Sequence, residues 1–106
     1  PENFSHGLVL GLIVCLREEY RIVSHRESGR GRYDITMYPQ KEDRDAFILE
    51  FKVREDDEKS LEETVAAAKK QIQDKAYSKE LETRGIDMKR IQCYGFAFQG
   101  KKVLIG

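Results

Sequence analysis

Three charged residues stand inside runs that otherwise look like sheet interior. In "GRGRYDI", Gly29 to Ile35, two glycines and two arginines precede Asp34, after which the chain turns apolar; in "ILEFKV" Glu50 and Lys52 interrupt a second apolar run. An unpartnered polar group in such a place costs roughly 2–7 kcal/mol, and a charge more. The three must satisfy one another or hold something. Strand side chains alternate, so Glu50 and Lys52 project to one side and Leu49 and Phe51 to the other. If "YDITMY" and "AFILEFKV" form a hairpin, Asp34 comes near Glu50 and Lys52. Two converging carboxylates repel unless a cation lies between them. Oxygen ligands with room for water suit Mg²⁺, which binds through one or two carboxylates plus substrate phosphate, and a nearby lysine could orient or deprotonate an attacking water. The plainer reading is a charged pair on an exposed strand face with Asp34 in a turn. The apolar flanks of all three residues weigh against it.

The elements that would position these residues follow from periodicity. Residues 2–16 carry apolar side chains too densely for a strand and fit a largely buried helix, in which Gly7 and Gly11 would let another backbone approach. "YRIVSH" alternates as a first strand and the glycine-rich "RESGRGR" is a loop. "YDITMY" and "AFILEFKV" make a hairpin through the turn "PQKEDRD". Ser60 and Glu63 form a capping box ahead of Leu61, Val65, Ala68 and Ile72, which predicts one long helix to about Thr83 ended by Gly85. "RIQCYGFAF" and "VLI", joined by "QGKK", are the last two strands. The order helix, three strands, helix, two strands predicts a mixed α/β sheet with helices packed on it.

The chain of 106 residues has room for one core. It begins at Pro1 without a methionine, which suggests a processed chain or a piece of a longer one. No run reaches the roughly 20 apolar residues of a membrane span, so a soluble, cytoplasmic protein is expected. Cys15 and Cys93, both in apolar segments, are expected to be buried thiols. The net charge of zero hides an uneven distribution. Arg21, His25, Arg26, Arg30 and Arg32 face only Glu27, whereas residues 55–63 are dominated by acids. Arg26, Arg30 and Arg32 flank the loop before Asp34, where Gly29 and Gly31 would admit a phosphate backbone. They could equally pair with Glu27 or the acidic segment. Arg32 reads as the structural partner and Arg30 as the phosphate contact.

An acidic residue on one strand, then E-x-K on the next, in this order of elements, resembles the PD-(D/E)XK nuclease superfamily. The wording "RESGRGRYDI", "ILEFKV" and "AKKQIQDKAY" is similar to its archaeal Holliday junction resolvase-like branch. Within that branch it is similar to a bacterial nuclease domain often found C-terminal to an AAA-ATPase-like domain. The likeness runs from "ENFSHGLVLGL" to "GKKVLI". It implies a restriction-endonuclease-like core spanning residues 1–106, with a mixed central sheet flanked by helices. It also implies Mg²⁺ or Mn²⁺ held by Asp34, Glu50 and the carbonyl of Phe51, with Lys52 serving the water. Gln71 matches the branch's additional glutamine, Tyr77 its tyrosine and Glu2 its first-helix glutamate. Tyr33 stands where the superfamily's proline would precede Asp34, as is common in this branch. The implied function is a metal-dependent endodeoxyribonuclease acting on branched or structured DNA and leaving 5′-phosphate ends. The alternative is a non-catalytic nucleic-acid-binding or regulatory module of a larger ATPase. Tyr94, Phe96 and Phe98 share one strand face, where they would either serve a homodimer interface or pack beneath the helices.

Overall fold

The computed structural model describes residues 2–26, 32–75 and 77–106, with the side chains of residues 2–6, 8, 9, 25, 26, 77 and 78 left aside. Helix α1 (Glu2–Leu16) leads into strands β1 (Tyr20–Arg26), β2 (Arg32–Pro39) and β3 (Ala46–Val53). Helices α2 (Leu61–Asp74) and α3 (Tyr77–Thr83) follow, then a 3₁₀ turn (Met88–Arg90) and strands β4 (Ile91–Gln99) and β5 (Lys102–Ile105). The five strands lie in chain order in one sheet. Only β3 and β4 are parallel, joined by the crossover through α2 and α3. The expected mixed α/β sheet with flanking helices is therefore the observed fold.

Alternation sorts the sheet into two faces. Tyr33, Ile35, Met37, Leu49, Phe51 and Phe98 form one cluster, joined by Leu12, Ile13 and Leu16 of α1. Ala46 and Ile48 face the other way and pack with Ile72 of α2 and Leu81 of α3. Asp34, Glu50 and Lys52 share the parity of that second face, so α2 lies over the charged residues and not over the aromatic ones. The hydroxyl of Ser60 accepts from the N–H of Glu63, and the carboxylate of Glu63 accepts from the N–H of Lys59, so the start of α2 is where the capping pattern put it.

Close approach of α2 depends on Gly95 in β4. A Cβ there would lie 2.9 Å from the carbonyl oxygen of Val65 and 3.1 Å from Cβ of Ala68. Only a glycine leaves that space. Gly95 also stands opposite Glu50 in the β3–β4 register, so the same contact sets the height of α2 above the carboxylates.

Four expectations change. The single long helix is two, broken after Asp74, with Lys75 as the C-cap of α2. Ile72 and Leu81, nine residues apart, would be separated by about 13–14 Å along a straight helix, yet both join one cluster against Ala46 and Ile48. The bend brings α3 back onto the sheet. Gly85 ends α3 as expected, at φ 91°. The N–H groups of Gly85 and Ile86 bond to the carbonyls of Glu82 and Leu81, a Schellman pair with Ile86 packed beside Leu81.

Over residues 10–16 helix α1 is not largely buried. Val14 is 64% exposed and Leu10 51%, because a helix apolar on all sides can offer only one stripe to a sheet. Among the described residues no backbone approaches Gly7 or Gly11. Cys15 is exposed and Cys93 only half-buried. The aromatic rings of β4 mostly pack inward: Phe98 is buried, Phe96 lies 4.8 Å from Phe51 between ring centroids, and Tyr94, 38% exposed, stacks at 6.4 Å on Phe47. No helix among the described residues is long and apolar enough to cross a membrane.

Candidate active site

Asp34 and Glu50 are direct partners in the β2–β3 register. Directly opposed residues share a face with Cβ atoms about 5 Å apart, so the two carboxylates converge as the hairpin reading requires. Both are fully buried. Burial, and after it the nearby charge of Asp34, raises the Glu50 carboxyl from 4.5 to about 8, against a smaller opposing pull from Arg32. A like-charge pair out of water favours one shared proton or an added cation.

Lys75 supplies a cation here. Its ammonium lies 3.1 Å from Oδ2 of Asp34 and 3.5 Å from Oε1 of Glu50. Burial lowers the pKa of that amine. Lys75 arrives there because of helical spacing: Thr64, Ala68, Gln71 and Lys75 follow at intervals of four, three and four, one stripe of α2 turned to the sheet. Its position at the C-terminal end of α2 also suits a positive charge. Gln71, half-buried, occupies the stripe one turn before Lys75.

Lys52 lies one pleat beyond Glu50, about 6–7 Å along the strand. Its ammonium is 2.8 Å from Oε1 of Glu58 and 3.8 Å from Oε1 of Glu55, and the residue is only 2% exposed. The same Glu58 oxygen accepts from the N–H of Glu55 at 2.8 Å and from the hydroxyl of Thr64 at 3.1 Å. Burial pushes the Glu58 carboxyl up, but these bonds and the Lys52 charge outweigh it and hold it below the ordinary value. Arg32, across from Lys52 in the register, comes within 3.6 Å of Glu55. This is the ion pair with the acidic segment that the sequence allowed.

Phe51 sits between Glu50 and Lys52 with its ring in the opposite cluster, 5.0 Å from Tyr33. Glu2 belongs to α1, Tyr77 opens α3, and Arg26 pairs with Tyr33 at the end of β1, but their side chains lie outside the described set. Arg30, with the loop before Arg32, lies outside the described residues. The structure thus brings together Asp34, Glu50 and Lys75, keeps Lys52 beside them in an anchored pair, and lays Gln71 alongside. Lys75 and Glu58 were not anticipated. The stripe 64, 68, 71, 75 could have pointed to Lys75. Glu58, inside an acidic run, carried no such mark.

The donors suit a hard divalent cation. Among the described residues nothing hydrogen-bonds Oε2 of Glu50, which is buried, and the pair already attracts a cation. No group of three or more His, Cys, Asp or Glu able to hold a metal occurs among the described residues. Two carboxylates with the remaining positions left to backbone, water and substrate match Mg²⁺ or Mn²⁺ better than a caged ion.

Fold and site together define a small α/β domain with an acidic residue on one strand and E-x-K on its neighbour. The family model of the PD-(D/E)XK nuclease superfamily matches residues 1–106. The chain belongs to that superfamily, whose members are nucleases that generally use divalent metals such as Mg²⁺ or Mn²⁺. Searches of curated proteins and of solved structures found no match.

Proposed function

We propose that this domain is a Mg²⁺- or Mn²⁺-dependent endodeoxyribonuclease, with Asp34 and Glu50 as its side-chain metal ligands and the Phe51 carbonyl as a third. The observation that carries this reading is the buried cross-strand carboxylate pair, with a Glu50 oxygen left without a hydrogen bond among the described residues. A buried like-charge pair has no use in a module that only binds. When bound, such an ion stabilises charge on a phosphate and lowers the pKa of a coordinated water.

The protein's own part is positional. Glu58, itself fixed by Thr64 and the Glu55 N–H, holds the Lys52 ammonium in one place beside the carboxylates. From there Lys52 can orient the attacking water or steady a phosphate oxygen. Gln71 lies on the same stripe of α2, one turn before Lys75, and is a candidate to act there. Glu2 is a candidate additional ligand. Arg26, Arg30 and Tyr77 are candidate DNA contacts; Arg32 serves the rim through Glu55.

Branched or structured DNA is the proposed substrate, in the manner of a Holliday junction resolvase. Two symmetric nicks would come from a homodimer or from an N-terminal AAA-ATPase-like partner domain, and a cytoplasmic setting would suit this role. The test is incubation of the purified domain with labelled linear, flap and four-way DNA, with and without Mn²⁺. Metal-dependent cleavage of the four-way substrate at paired positions is expected. Cleavage of all three alike would remove the structural preference, and no cleavage of any would remove the enzyme reading.

A further inference from the structure

Resting on the metal-site reading above, we infer that Lys75 is a built-in counter-ion that a divalent cation must displace. Its ammonium is within 4 Å of both carboxylates, closer to Asp34 than to Glu50. The ammonium takes Oδ2 of Asp34 and Oε1 of Glu50, and a divalent ion held by the same two carboxylates would lie close enough for the two cations to repel strongly where water is scarce. Loading the site therefore exchanges one cation for another.

The location of Lys75 makes the exchange feasible. It is the C-cap of α2, at the joint where the chain turns into α3, and its side chain is about one-fifth exposed while both carboxylates are fully enclosed. A four-carbon stem rooted at a helix end can swing toward solvent without unpacking Ile72 or Ala68. In the metal-free protein the ammonium offsets the repulsion between Asp34 and Glu50 whenever both are ionised, so the strands stay paired at a point where two buried like charges would push them apart. The same contact weakens metal binding. Lys75 is thus a positioning residue that sets the affinity of the site, distinct from Lys52, which Glu58 and Glu55 anchor on the other side.

Calorimetric titration with Mn²⁺ at one fixed pH, on wild type, Lys75→Met and Lys75→Arg, tests this. Lys75→Met is expected to bind roughly ten- to a hundredfold more tightly, the range that corresponds to losing one charge-assisted contact. Lys75→Arg, which keeps the cation, is expected to stay near wild type. Unchanged or weaker binding in a folded Lys75→Met overturns the displacement. A second measurement needs only the wild-type chain: side-chain NMR of uniformly ¹³C,¹⁵N-labelled protein titrated with Mg²⁺. The Lys75 Cε signal should move toward that of a solvated lysine with the same midpoint as Mg²⁺ binding. A stationary Lys75 signal alongside shifting Asp34 and Glu50 carboxyl signals overturns the proposal while keeping the metal site. If neither ion binds wild type or Lys75→Met, the metal-site reading fails and the displacement falls with it.

Discussion

Replacing Glu50 by glutamine should stabilise the metal-free protein, and by an amount that depends on pH. The folded state raises this carboxyl from 4.5 to about 8, so between those values it binds a proton that the unfolded chain has already released. Wild-type stability is full below pH 4.5, falls as pH rises, and levels off above 8. Each pH unit within that interval is worth about 1.4 kcal/mol, which at pH 7 sets an upper limit of about 3.5 kcal/mol. Part of this is offset because the Lys75 ammonium, 3.5 Å away, favours the charged form. A net gain of about 1–3 kcal/mol for Glu50→Gln at pH 7 is therefore expected. In a domain of this size that raises Tm by roughly 4–8 °C per kcal/mol. Near pH 4 wild type also carries a neutral side chain, and the two proteins should converge. Urea denaturation of both in EDTA at pH 4, 7 and 8.5 checks this. A glutamine variant less stable than wild type at pH 8.5, or a difference independent of pH, would show that Glu50 is not held as a costly buried charge.

Other outcomes can be stated briefly. Lys52→Ala should reduce the cleavage rate at least about a hundredfold, as expected for a positioned group acting on the water, while DNA affinity measured by anisotropy changes far less; equal losses would make Lys52 a phosphate anchor. Glu58→Gln leaves the Lys52 ammonium buried with only Glu55 at 3.8 Å, which should cost roughly 3 kcal/mol in denaturant titrations. Because Glu58 is held below 4.5, its contribution is complete above that pH and lost as pH falls further; a variant as stable as wild type at pH 7 would show that the pair is not structural. Gly95→Ala forces the middle of α2 away from the sheet, since the new Cβ would meet the Val65 carbonyl at 2.9 Å and Cβ of Ala68 at 3.1 Å. A loss of about 1–3 kcal/mol is expected, with tighter Mn²⁺ binding because the competing Lys75 rides on the same helix and is drawn off the carboxylates; loss of stability without any change in binding would uncouple α2 from the site.

The sheet was legible because burial imposes a period of two, and that period also assigned Asp34, Glu50 and Lys52 to one face before any coordinates. Helix starts were legible where a side chain caps a backbone group, as at Ser60. What escaped depends on contacts distant in the chain. The break after Asp74 is set by Leu81 returning to Ala46 and Ile48, while the local pattern through "QIQDKAYSKEL" continues as a helix. Lys75 meets Asp34 across 41 residues of sequence, and the stripe 64, 68, 71, 75 separates it from the exposed Lys69 and Lys70 only once α2 is known to lie over the charged face. Glu58 reads as one acid among six until Lys52 needs a partner. The exposed face of α1 escaped for the opposite reason: apolar density reports what could be buried, and the sheet offers a single side.

The most direct measurement of the central claim is Mn²⁺ binding by calorimetry to wild type, Asp34→Asn and Glu50→Gln, each shown to be folded by circular dichroism. The expected result is saturable binding to wild type and none to either variant. Undiminished binding in both would place the metal elsewhere and contradict the assignment of Asp34 and Glu50 as its ligands.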